Sequence, residues 1–523
     1  MLNMKKFNMK TMAYPTMIAL LCVVFLACKK NKEDEVKGAE GTLVKPLYNR
    51  NTVLRNPLNG WVMYGSGTGN PSYWDTEYYV PDLGKKVKAI DYASACYIRT
   101  SWARFNPANG VYAWRDPSTA IYKMIKGATD KGLPIAFRFV VDGQDQGLNT
   151  PQFVIDAGAK YYTVDSKFPD RKSPYPQDPV FQQYYAKFIQ ALAEDFNDPK
   201  RTAFIDGYGL GKWGEGHGVI YEDPNTATVA STERLKTEVM EWITSLYSKH
   251  FTKVPLMMTY HRVVADPSSG GAVNTNSTRL LEMAINKGYS LRQDAFGMTD
   301  YYQTWEKNFA KTWNFKRPII MEGGWITSGT HRYWIDPSGK YREGHPEDVR
   351  LGEFDSSKEA AVNMMDFRVG DTESWFSKAF SLVQRFTTEG GYRLYPDQVY
   401  LPEKVNSGAE TTITHRWRNM GWGYFPNNIP QWNFKYKVAF ALLDASNNVK
   451  KLFIDNNSDP STWLKNTPVS YQLKASVSVP AGTYTWAVAI IDTTKENQPG
   501  IKLAVNNDTT SEGWAKLINV QVQ

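Results

Sequence analysis

Two glutamates stand in short glycine-framed contexts, Glu215 within FIDGYGLGKWGEGHG (204–218) and Glu322 within RPIIMEGG (317–324). Each follows an apolar run of strand length. Two carboxyl groups facing each other across a cleft are what cleavage of a glycosidic bond needs: one protonated, to donate to the leaving oxygen, the other ionised, to attack or to activate water. Burial and a neighbouring negative charge raise one pKa, while cations and donors hold the other low. Trp213 is placed to desolvate Glu215, and Arg99 and Arg138 are the cations expected to keep Glu322 ionised.

Elements that bring residues 215 and 322 together follow from hydrophobic periodicity. Short apolar runs at 60–65, 94–100, 134–141, 203–209, 254–260, 295–300, 317–322 and 391–395 read as strands buried on both faces. Stripes at i, i+3, i+4 and i+7 fall between several of them: Phe181 to Phe196, Leu235 to Leu246, and Trp375 to Phe386. Eight strands with interleaved helices predict a (β/α)8 TIM barrel over 44–401, whose loops after the strands carry the site. After residue 402 the period changes to alternation, as in Tyr436, Val438, Phe440 and Leu442, which predicts a C-terminal β-sandwich of immunoglobulin-like kind over 402–523. It is expected to pack on the barrel, to bind sugar, or both.

The N-terminus reads as a targeting segment. Lys5, Lys6 and Lys10 precede the apolar run 17–28, which is shorter than the roughly 20 residues a membrane span takes. Residues 1–27 then form a signal peptide, Cys28 a lipidation site, and 28–43 a flexible tether containing KKNKEDEVKG (29–38). The expected setting is an outer-membrane lipoprotein, surface-exposed and held to the membrane through Cys28, working beside other proteins of a glycan-uptake system. Of the remaining cysteines, Cys22 is removed with the signal and Cys96, in ASACYIR, reads as a small core residue. Losing the three lysines of 1–27 brings the formal charge from +8 to +5, and no basic block stands out, so nucleic acid is a poor partner. The 17 Trp and 31 Tyr offer flat faces for sugar rings but also fill cores, so composition alone does not separate these uses.

The stretch YIRTSWARFNPANGVYAW (97–114) resembles the second-strand region of β-galactosidase-like clan-A glycoside hydrolases, with Arg99, Trp102, Pro107, Gly110, Tyr112 and Trp114 in the matching places. The chain also resembles barrel-plus-sandwich bacterial lipoproteins. The resemblance implies an acid/base glutamate after strand four, matching Glu215, and a nucleophile after strand seven, matching Glu322. It also implies a tyrosine near the end of strand six, matching Tyr301 or Tyr302, and a retaining mechanism on a β-linked oligo- or polysaccharide, without a cofactor. One departure is Gly214, where the family usually has an asparagine before the acid/base. A barrel that binds glycan without cleaving it is therefore the alternative.

Other residues at predicted strand ends complete the candidate site. His217 and His261 are expected to bind sugar hydroxyls or to serve as loop histidines, Trp102 and Trp325 to act as sugar platforms or rim packing, and Asp142 and Asp300 to bind hydroxyls. Glu215, His217 and His261 lack the spacing of a metal motif, so no metal is expected. Gly209 to Gly214 formally match GxGxxG, but Gly216, Gly218 and Pro224 are poor openings for the helix a dinucleotide site requires.

Overall fold

The central strands carry different side chains on their two faces, and that difference builds a barrel. The structure, a computed structural model, describes residues 35–65, 71–142, 147–163, 167–267, 272–298, 301–324, 340–342, 344–368 and 370–523. Its strands are β1 (Gly60–Gly65), β2 (Ala93–Ser101), β3 (Ile135–Val140), β4 (Thr202–Asp206), β5 (Leu256–Thr259), β6 (Tyr289–Asp294), β7 (Ile319–Glu322) and β8 (Met364–Phe367). All pair in parallel and β8 returns to β1, closing an eight-stranded TIM barrel. Val62, Tyr97, Ala136, Phe204, Met257 and Ile320 belong to one buried cluster, and their neighbours Trp61, Cys96, Phe137, Ile205, Met258 and Met321 to another that includes the surrounding helices. This period-2 alternation is the geometry of a strand with both faces covered.

Two of the eight predicted strands lie elsewhere. The sixth is not 295–300 but β6, whose alternate residues Ser290, Arg292 and Asp294 are polar and buried. The eighth is not 391–395 but β8, where Asp366 interrupts the apolar run. Leu394–Leu401 is a strand of the second unit, antiparallel to Glu410–Asn419. Thr42–Val44, expected at the end of a tether and the start of the barrel, pairs antiparallel with Val399–Leu401 of the same strand. Helices Pro179–Phe196 and Val229–His250 fall on the predicted stripes, while the third stripe is split into Thr372–Ser377 and Phe380–Glu389.

The second unit is a sandwich of two largely antiparallel sheets, with Trp417, Trp463, Phe440 and Trp486 in the core between them. It packs against the N-terminal end of the barrel. Trp422 Nε1 donates to the Val362 carbonyl at 2.9 Å, Asn363 Nδ2 to the Tyr424 carbonyl at 2.8 Å, and Gln431 Nε2 to the Gly288 carbonyl at 3.1 Å, all just before β8 or β6. Among the described residues no helix is long and apolar enough to cross a membrane.

Candidate active site

The loop after β4 delivers Glu215 by a tight backbone course. Trp213 has φ 56° and Gly214 φ +75°, both left-handed. A Cβ at Gly214 would stand 3.3 Å from Arg138 Cδ and 3.4 Å from the Gly209 carbonyl oxygen. Glycine there serves both the turn and the close approach to Arg138. The loop is closed on itself by Lys212 N–H to the His217 carbonyl (2.7 Å) and Gly216 N–H to the Leu210 carbonyl (3.0 Å). The GxGxxG match leads into a three-residue 3-10 turn and not a helix, so it forms no dinucleotide cradle.

Glu322 ends β7, and its position is held from behind. Gly323 N–H donates to Asp366 Oδ1 at 3.0 Å, and Gly324 N–H to Glu353 Oε1 at 2.8 Å. Its carboxylate accepts from Arg292 Nη2 (2.7 Å) and Arg368 Nη1 (2.8 Å) and lies 3.3 Å from Arg138 Nη1. Glu215 Oε1 is 3.4 Å from that same Nη1 and 3.8 Å from Arg99 Nη2, and its Oε2 is 3.4 Å from His217 Nε2. The two glutamates therefore meet at one guanidinium nitrogen, and their nearest oxygens are no further apart than the sum of those 3.4 and 3.3 Å contacts.

Arg138 is the hub. It also donates from Nε to Asp206 (2.9 Å), from Nη1 to Asp294 Oδ2 (3.0 Å), and from Nη2 to Thr259 Oγ1 (3.1 Å). Arg292 lies 4.2 Å over the Tyr97 ring and pairs with Asp366 at 3.3 Å. Burial pushes the Glu322 carboxyl up, but Arg292, Arg138, Arg99 and Arg368 outweigh it and hold it well below the ordinary carboxylate range. Burial acts on Glu215 likewise, and the His217 contact with Arg99 and Arg138 brings it below its usual value. Asp294 goes the other way: burial, reinforced by the charges of Glu322 and Glu215, raises it well above its usual value despite Arg138 and Arg292. Asp366 is raised to about 7, first by burial, with Glu322 adding.

A cavity of about 680 Å³ opens over this cluster at the C-terminal ends of the strands. Its wall includes Tyr64, Arg99, Trp213, Glu215, His261, Asp294, Tyr301 and Arg368. Glu322 is fully buried beneath it, behind Arg368 and Gly323. His261 is held neutral, its pKa pushed down to about 3 by burial and then by His217 and Arg262. Its Nδ1 accepts from Val263 N–H at 3.2 Å, which puts the ring proton on Nε2, a buried donor without a partner among the described residues.

The cavity gathers Arg99, Trp213, Glu215, His261 and Tyr301, with Arg138 and His217 directly behind Glu215. It does not gather Trp102, which corrects the sugar-platform expectation. Trp102 is fully buried in the short helix Trp102–Phe105 and packs edge-on against Tyr185 at 5.0 Å, because that helix turns its indole toward Pro179–Phe196. Asp142 is likewise set apart, bonded to the Tyr162 and Ser173 hydroxyls. Tyr302 stacks on Phe296 at 4.6 Å in the outer core. Asp300, Trp325 and Cys28 lie outside the described residues. Sequence reading missed Asp206, Arg292, Asp294, Asp366 and Arg368. The signal for the β6 pair is the polar alternation Ser290, Arg292, Asp294 just ahead of the apolar run 295–300.

Among the described residues no three His, Cys, Asp or Glu side chains are grouped as a metal site. No family model and no curated protein matches the chain. Solved structures similar to it include the endo-beta-1,4-mannanase from Thermotoga petrophila, at 10% identity, covering 90% of this chain and 98% of that one, with a TM-score of 0.37. Endo-glycoceramidase II from Rhodococcus sp. is 11% identical over 83% and 100% of the two chains, with a TM-score of 0.36. The endo-1,4-beta-xylanase from Caldicellulosiruptor owensensis is 10% identical over 59% and 84%, with a TM-score of 0.34.

Proposed function

We propose that the chain is a retaining glycoside hydrolase that cleaves a β-linked oligo- or polysaccharide, with Glu322 as nucleophile and Glu215 as acid/base. The observation that carries this reading is the convergence of Glu215 and Glu322 on Arg138 Nη1 at the C-terminal end of a closed barrel. The cap on their oxygen separation admits the roughly 5–5.5 Å carboxyl spacing of retaining enzymes, the outcome that the resemblance of the 97–114 stretch favours. The guanidiniums around Glu322 supply the ionised carboxylate that attack on an anomeric carbon requires. Neutral His261, with its free Nε2–H, and Trp213 are suited to hold sugar hydroxyls and a ring face beside it. The test is release of sugar from aryl β-glycosides and β-linked polysaccharides by the wild type, and its loss in Glu215→Gln and Glu322→Gln. Sugar release that survives in both variants overturns the assignment.

A second reading is a glycan-binding barrel without hydrolysis. The clamp on Glu322 favours it, since a carboxylate bonded by Arg292 and Arg368 and absent from the cavity wall must be uncovered before it can attack. Binding of a glycan by calorimetry with no released sugar would select this reading. For setting, we propose a surface lipoprotein anchored at Cys28. Cys28→Ala should move the protein from the membrane to the soluble fraction, and retention in the membrane would contradict the anchor.

A further inference from the structure

We propose that Asp294 is the proton partner of Glu215: the two carboxyls share one proton above Arg138, and the pair, not Glu215 alone, is the acid that serves the leaving oxygen. This deepens the hydrolase reading above and rests on it for its kinetic arm.

Three observations carry the inference. First, Glu215 and Asp294 reach the same Arg138 Nη1, at 3.4 and 3.0 Å, and both form part of the cavity wall, whereas Glu322 does not. Secondly, the cluster holds more acids than bases. Five carboxyls, those of Asp206, Glu215, Asp294, Glu322 and Asp366, pair with four guanidiniums, those of Arg99, Arg138, Arg292 and Arg368. The His217 ring stands 3.4 Å from Glu215 Oε2; with that ring neutral, ionising all five in a desolvated cluster leaves an uncompensated negative charge, which one proton retained on a carboxyl removes. Thirdly, the shorter bonds go elsewhere. Glu322 takes contacts of 2.7 and 2.8 Å from Arg292 and Arg368, and Asp206 takes 2.9 Å from both Arg138 and Tyr97. Asp366 is bound to the Gly323 amide and lies off the cavity. Asp294 faces Arg138 on β3, Arg292 on its own strand, Glu215 after β4 and Glu322 on β7; Asp206 shares both arginines and Asp366 shares Arg292. The opposite displacements of Glu215 and Asp294 are what a pair dividing one proton gives, and its two titrations belong to the pair.

The step balances. As a Glu322 oxygen bonds the anomeric carbon and the glycosidic C–O bond breaks, the shared proton passes to the leaving oxygen, and both wall carboxylates are then ionised over Arg138. When water displaces Glu322, its proton returns to the pair.

The test uses the full-length protein and Asp294→Asn. The infrared difference spectrum at neutral pH should show loss of one protonated-carboxyl C=O band, a readout that needs no substrate. For a β-glycoside that the wild type hydrolyses, kcat/KM should fall about a hundredfold with an alkyl leaving group, which needs protonation, and less than about tenfold with 2,4-dinitrophenolate, which does not. The alkaline limb of the pH profile should move down by about one unit or more. Equal loss on both leaving groups with unmoved limbs would overturn the proposal, as would a band that Asp366→Asn removes and Asp294→Asn leaves. If Asp294→Asn does not fold, Glu215→Gln reads the same proton: without its partner's charge Asp294 ionises and the band weakens, whereas an unchanged band overturns the idea. A wild type that hydrolyses no glycoside defeats the hydrolase reading alone, because the infrared arm still reports the proton.

Discussion

Glu215 and Glu322 meet at a single atom, Nη1 of Arg138, which lies 3.4 Å from one carboxylate and 3.3 Å from the other. Their surroundings differ sharply. Glu215 forms part of the cavity wall with long contacts, while Glu322 is sealed beneath it with short ones. The two should therefore respond differently to the same change of chemistry.

Neutralising Glu322 should cost stability as well as activity. Glu322→Gln removes the shortest carboxylate contact of Arg292, at 2.7 Å, and the 2.8 Å contact of Arg368 in a dry site, and breaking a buried pair costs on the order of 3–5 kcal/mol. Glu215→Gln, with its longer contacts and partial exposure, should cost about 1 kcal/mol or less. Chemical denaturation of both variants checks this. Equal stability would mean that the arginine clamp contributes little.

Gly214→Ala should lower both stability and activity. A left-handed φ of +75° penalises any Cβ by about 1–2 kcal/mol, and this one would press on Arg138 Cδ at 3.3 Å. Because Arg138 positions both glutamates, kcat should drop more than KM rises. A variant with unchanged kcat would show that the turn tolerates a side chain without moving Arg138.

His261 supplies a pH prediction with a definite sign. Its folded pKa of about 3 lies below the ordinary histidine value near 6.5, so between these the unfolded chain binds more protons. The contribution is complete above pH 6.5 or so and is lost as pH falls toward 3. His261→Gln should therefore lose less stability than the wild type on acidification over that window. Its effect on catalysis should be a raised KM with unmoved pH limbs, since the ring stays neutral until the pH falls toward 3 and offers only an Nε2–H donor. A shifted limb would give His261 a proton-transfer role.

Trp102→Ala should destabilise by about 3–5 kcal/mol, the usual cost of emptying a buried indole site, and leave substrate preference unchanged. Altered selectivity among β-glycosides in a folded variant would return Trp102 to the binding surface.

Much of the architecture was legible from periodicity, because six strands carry clear apolar runs bounded by glycine or charge. Both glutamates were visible because their runs end in glycine-framed loops. What escaped was the charged floor of the site. The inward positions of β6 and β8 carry Arg292, Asp294, Asp366 and, just past the strand, Arg368, which spoil the apolar signature, so the apolar or aromatic runs at 295–300 and 391–395 were read as strands in their place. Nothing local announces that Arg138 on β3 gathers acids from three other strands, since that depends on register around the closed barrel. The choice between platform and packing at Trp102 was not legible either. Its position just after β2 is legible, but the turn that aims it at the helix Pro179–Phe196 is not.

The central claim, that Glu322 attacks the sugar while Glu215 serves its leaving group, is tested most directly by trapping. Full-length protein would be incubated with a panel of 2-deoxy-2-fluoro-β-glycosides bearing good leaving groups, and its peptides examined by mass spectrometry. The account predicts one glycosyl adduct on the peptide containing Glu322, absent in Glu322→Gln. An adduct on another carboxylate, or none from a glycoside that the enzyme turns over, would contradict it.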